Sequence, residues 1–86
     1  MRNHRLIDET INFLIKHQNN QYYIDDIYEL ININQFGDEN SRNLRGIVSC
    51  LNNENNLNYH DLRYYLYRIL SAENGIMCIN KLICKE

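Results

Sequence analysis

The chain has no proline, only three glycines and a single alanine in its 86 residues. A sheet-built domain of this size needs many turn residues, so their scarcity argues against a sandwich or barrel and for helices. Signatures of chemistry are missing as well. There is no glycine-rich phosphate loop, no Cys/His pairing at metal-ligand spacing and no nucleophile elbow. The three cysteines, Cys50, Cys78 and Cys84, are an odd number and each falls in a helical pattern. They read as reduced, buried or half-buried thiols. His4, His17 and His60 lie on different segments, and nothing in the sequence requires Cys50 to meet one of them. These absences predict no enzyme, no cofactor, no metal and no small-molecule substrate. No apolar run approaches the length of a membrane span. The opening "MRNHRLIDETINFLIKHQ" scatters charges where a signal peptide needs an uninterrupted apolar core, so the expectation is a reducing cytoplasm and no membrane contact.

A strong basic excess is also lacking. The formal net charge is −2, whereas a binder of double-stranded DNA usually carries a marked positive balance. The charge is uneven: residues 1–39 hold three basic and seven acidic groups, and residues 40–86 hold six and four. A protein with opposite faces can associate head to tail.

What is present is an apolar fraction of 44%, enough for one globular domain over residues 1–86 with a single modest core. Fifteen asparagines, twelve isoleucines and seven tyrosines carry the imprint of an AT-rich genome, so abundance alone assigns none of them a role. Apolar periodicity predicts a helix over 4–18, with Ile7, Ile11, Leu14 and Ile15 inward, widened by Leu6, Thr10, Phe13 and His17. A second spans 23–33, with Ile24, Ile27, Leu30 and Ile31 inward and Asp25, Asp26 and Glu29 outward; the two aspartates fall in its expected first turn. Residues 34–40 form a connector with room for one helical turn around Phe36. A helix over 40–52, capped by Asn40 or Ser41, sets Leu44, Ile47, Val48 and Leu51 inward and Arg42, Arg45 and Ser49 outward.

The stretch 59–73 predicts the next helix, with Asn58 as its N-cap and Asn74-Gly75 as its C-cap. Helical phase sends Tyr59, Leu62, Tyr65, Leu66 and Ile69 to the core and His60, Arg63, Tyr64, Tyr67 and Arg68 outward. Ile76, Ile79 and Ile83 fit a final helix over 76–85, with a strand as the rival because β-branched residues are dense there. The fold class is therefore all-α, a compact bundle of five to six helices. A shift of 36 aligns "NNQYYIDDIYELINI" with "NNLNYHDLRYYLYRI", but in a chain so rich in Asn, Tyr and Ile coincidence explains the match better than duplication.

Two surface groups are candidates for binding a partner. One is acidic: Asp25, Asp26 and Glu29. The other is basic and aromatic: Arg42, Arg45, Arg63, Tyr64, Tyr67 and Arg68. Outward Tyr and Arg supply large contact area with a polar tip, as protein interfaces use them, and they can also stack on bases.

Helix order and the stretch "NLRGIVSCLNNENNLNYHDLRYYLYRIL", residues 43–70, resemble the death-fold superfamily, namely the six-helix death-effector and bacterial effector-associated domains. The likeness runs through Asn43, Leu44, Ile47 and Leu51, then Leu57, Leu62, Leu66 and Ile69. It departs at "SAENGIM", where death-effector domains often carry an Arg-x-Asp-Leu motif. The resemblance implies a non-catalytic adaptor that binds other proteins, a second copy of the chain among them, in signalling or immune defence. The alternatives are two. In a winged-helix or helix-turn-helix regulator, Ser41, Arg42, Asn43, Arg45 and Ser49 would face the major groove. In a small inhibitor from a phage or mobile element, the chain would be a complete short protein that blocks a host protein.

Overall fold

In the computed structural model, which describes residues 4–52 and 58–83, five helices follow one another. They are α1 (His4–Lys16), α2 (Gln21–Ile33), α3 (Asp38–Leu51), α4 (Tyr59–Ser71) and α5 (Gly75–Leu82), and there is no strand among the described residues. The strand alternative for the last segment gives way to helix α5. Burying Cys78, Ile79 and Leu82 against the bundle requires a 3.6-residue period there. The turn around Phe36 stays a turn, so five helices are present where five to six were expected.

The central pair is α3 against α4. On its other flank α3 packs against α2, while α1 and α5 pack against α4. Leu62, Leu66 and Ile69 of α4 are completely buried, and they meet Leu44, Ile47 and Leu51 of α3 with Ile7, Leu14, Ile27, Ile79 and Leu82 in one core. The Cα radius of gyration, 11.6 Å, matches the ~12 Å of a compact globule of this length. Among the described residues no helix is long and apolar enough to cross a membrane.

Asparagine chemistry sets most of the helix boundaries. The Asn20 side chain accepts the Tyr23 N–H at 3.2 Å, so α2 begins at Gln21, two residues earlier than expected. Asp25 and Asp26 consequently lie beyond the first turn, out of reach of the helix N-terminus. Asn58 caps α4 as expected, accepting from Asp61 N–H at 3.2 Å. Asn34 closes α2 in the left-handed region at φ 52°. Gly37, at φ 98°, turns the chain into α3, which starts at Asp38 with Asp38 and Glu39 in its first turn.

That early start moves Asn40 inside the helix. It does not cap α3. Its buried Nδ2 donates to the carbonyls of Phe36 at 2.8 Å and Glu73 at 2.9 Å, tying the α2–α3 turn to the α4–α5 turn. Gly75 opens α5 and does not serve as the C-cap of α4, a position held by Ala72. A Cβ on Gly75 would stand 1.8 Å from the Ile69 carbonyl oxygen, and only glycine lets the two helix ends approach so closely.

Two side chains expected in the core are exposed. Tyr59 stands at the first position of α4, before the buried seam begins at Leu62, and Ile76 lies opposite the buried side of α5. The pairing at a shift of 36 is not reproduced in burial. Buried Ile24 and Ile31 would correspond to exposed His60 and Tyr67, and Leu30 with Leu66 is the only pair buried in both among the described residues. Cys50 and Cys78 are buried free thiols, as expected, while Cys84 lies outside the described residues.

Candidate functional site

The basic and aromatic group divides on folding. Arg63 leans from α4 to α1 and forms an ion pair with Asp8. Arg68 leans the other way, to Glu39 at the start of α3, at 3.3 Å. Its guanidinium also lies 5.9 Å from the centre of the Tyr64 ring. The Tyr67 hydroxyl is hydrogen-bonded to His4 Nδ1 at 3.0 Å. The two arginines are therefore occupied in bracing α4 against its neighbours, and Tyr64 and Tyr67 stay outside at 55% and 42% exposure.

Arg42 and Arg45 belong to a different surface. They lie exposed on α3 beside the end of α2, lining a recess of about 410 Å³ with Asn32, Asn34, Asp38 and Ser41. Neither forms an ion pair among the described residues. Of the residues a DNA-binding reading turns to a major groove, Arg42, Arg45 and Ser49 are exposed and Ser41 is half-buried. Asn43 is buried, its Nδ2 donating to the Glu39 carbonyl at 3.0 Å.

The acidic group also separates. Asp25 accepts a hydrogen bond from Gln21 Nε2 at 2.9 Å. Asp26 and Glu29 line a groove of about 1070 Å³ between α2, the end of α1 and the end of α5. Its α2 wall runs Tyr22, Asp26, Glu29, Ile33, one helical ridge at intervals of four, three and four. Tyr22 is 84% exposed and Ile33 55%, among the barest large side chains of the protein. The rest of the lining includes Lys16 from α1 and Lys81 from α5. None of these four charged groups forms an ion pair with another across the groove.

At the α1 end, the rings of Phe13, His17 and Tyr23 pack with centroids 4.4 to 5.5 Å apart. The Tyr23 hydroxyl donates to the Leu82 carbonyl at 2.6 Å, fastening α5 to α2. Burial, reinforced by the charge of Asp26, holds that phenol well above its ordinary range. The groove was overlooked in the sequence because its walls come from three helices. Tyr22 and Ile33, two apolar residues off the buried stripe of α2, were the available signal.

Burial pushes the Cys78 thiol up to about 11, and burial with the nearby Asp61 charge raises Cys50 too. Both are held as protonated thiols, which are poor nucleophiles. No group of three or more His, Cys, Asp or Glu among the described residues is placed to hold a metal ion. No family model, curated protein or solved structure matches the chain.

Proposed function

We propose that the chain is a non-catalytic protein–protein interaction module, a death-fold-like bundle that assembles with further copies of itself in signalling or immune defence. The observation that carries the reading is that two carboxylates and two arginines, none in an ion pair among the described residues, stand on different surfaces. Asp26 and Glu29 stand on the groove side of α2, and Arg42 and Arg45 stand on α3 beside the recess at the end of α2. Like surfaces repel and unlike ones attract, so the favoured contact is between different faces of two copies, which propagates instead of closing. Tyr64 and Tyr67 add exposed aromatic area on α4. Arg63 and Arg68 serve this contact less, because each already has a carboxylate within the chain.

The placement decides which substitutions test the proposal. Arg63→Glu would also break the Asp8 pair, so its effect would be ambiguous. Arg45→Glu and Asp26→Lys touch no internal ion pair among the described residues. Each alone should lower self-association measured by sedimentation velocity, and mixing the two should restore it. A monomer at every concentration for wild type and mixture alike would refute the proposal.

A further inference from the structure

We infer that the α1/α2/α5 groove is a docking site for an amphipathic helix of a second, different protein, with basic residues along one edge of the helix and acidic residues along the other. The inference rests on the reading of the chain as an interaction module and adds the occupant of one of its surfaces.

Length and chemistry define that occupant. Tyr22 and Ile33 mark the two ends of the α2 wall, eleven positions apart, which at 1.5 Å per residue is roughly 16 Å, or three helical turns. An apolar seam laid along the groove would cover both side chains, which are otherwise bare to water. The lining bears charge of both signs: Asp26 and Glu29 on α2, Lys16 on α1 and Lys81 on α5. No ion pair among the described residues engages Asp26, Glu29, Lys16 or Lys81, which leaves them to a guest. A helix with both edges basic would meet the lysines, and one with both edges acidic would meet the carboxylates. Only mixed edges satisfy both walls.

A second copy does not present such a helix. The outer face of α4 is flanked by Arg63 and Arg68, each already held by a carboxylate of a neighbouring helix, so it offers no free edge of either sign. The outer face of α3 carries Arg42, Ser49 and Arg45 without an apolar seam, and the apolar residues of α1 are spent in the core. The outer face of α5 exposes Ile76 and Met77, but α5 is only eight residues long and carries no acidic residue. Two α2 ridges laid antiparallel would oppose Asp26 to Glu29, like charge to like. A different protein is left as the source. Because Asp26 and Glu29 also serve self-assembly, a docked helix and a docked copy exclude each other.

The test uses three fluorescein-labelled synthetic helices of 14 residues with the same Leu/Ile seam. One has Lys on one edge and Glu on the other, one has Lys on both, and one has Glu on both. Anisotropy titrations against the full chain should give the mixed-edge peptide an affinity about tenfold above either uniform one. The Asp26→Lys/Glu29→Lys variant makes both walls basic and should shift the preference to the peptide with Glu on both edges. Circular dichroism of this surface variant checks that it is folded. Equal affinity for all three peptides, no binding by any, or an unchanged preference in the variant would overturn the inference. Sedimentation of the wild type without peptide is scored separately: self-association without peptide selectivity removes the groove's occupant and leaves the proposed function standing.

Discussion

Replacing Asn40 by alanine should cost about 2 kcal/mol, although it removes a polar group from the interior. Its Nδ2 donates to Phe36 and Glu73 carbonyls that receive no other backbone N–H among the described residues. Two hydrogen bonds are worth ~1 kcal/mol each, and leaving the carbonyl of buried Phe36 stranded adds ~1–2 kcal/mol. Glu73 is exposed, so water can reach its carbonyl. Two effects oppose the loss. Alanine is the better helix former by ~0.6 kcal/mol, and Asn40 Oδ1 is buried without a partner, so its removal recovers ~1 kcal/mol. The losses win because Asn40 joins two turns 33 residues apart.

Urea unfolding followed by circular dichroism should show the midpoint falling by roughly 2 M, at ~1 kcal/mol/M for a protein of this size. Asn43→Ala is the control. Asn43 is also buried, but its amide bonds the Glu39 carbonyl one turn back in its own helix, a group the helix already satisfies. It should lose less than ~1 kcal/mol. A loss below ~0.5 kcal/mol for Asn40→Ala, or equal losses for both variants, would refute the reasoning.

Three further outcomes are expected. Gly75→Ala should destabilise by ~3 kcal/mol or more, since its Cβ meets backbone at 1.8 Å and neither helix end can yield alone; thermal unfolding of the variant measures it. Stability should decline above pH 9: below that both states keep the Cys78 proton, above it the unfolded thiol ionises first, and the contribution, on the order of 2 kcal/mol, is gone by about pH 11. Tyr23 acts in the same sense above pH 10, and urea titrations of Cys78→Ala with Tyr23→Phe should show a flatter profile. Asp8→Asn, which breaks an ion pair with Arg63 that is half in water, should cost under ~1 kcal/mol and less still in 1 M salt, as urea unfolding at both salt levels would report.

Helix number, to within one, and inward stripes were legible in the sequence because burial follows period. Ile24, Ile27, Leu30 and Ile31, or Leu44, Ile47, Val48 and Leu51, can face one way only. Sequence placed the Asn58 cap but not the work of five other asparagines. Asn20 caps α2, Asn34 and Asn74 adopt left-handed backbone, and Asn40 and Asn43 are buried in hydrogen bonds. In a chain with fifteen asparagines, composition hides which of them matter. The candidate site divides along similar lines. Exposure of Tyr64, Tyr67, Arg42 and Arg45 follows from phase on one helix. The pairing of Arg63 with Asp8 and Arg68 with Glu39 depends on which helices become neighbours, as does the groove that gathers Asp26 and Glu29 with Lys16 and Lys81.

Sedimentation velocity across a concentration series tests the central claim most directly, on the wild type, Arg45→Glu, Asp26→Lys and an equimolar mixture of the two. The wild type should grow past a dimer with concentration, each variant alone should sediment as a smaller species, and the mixture should recover assembly. A single monomeric boundary in every sample would contradict the account.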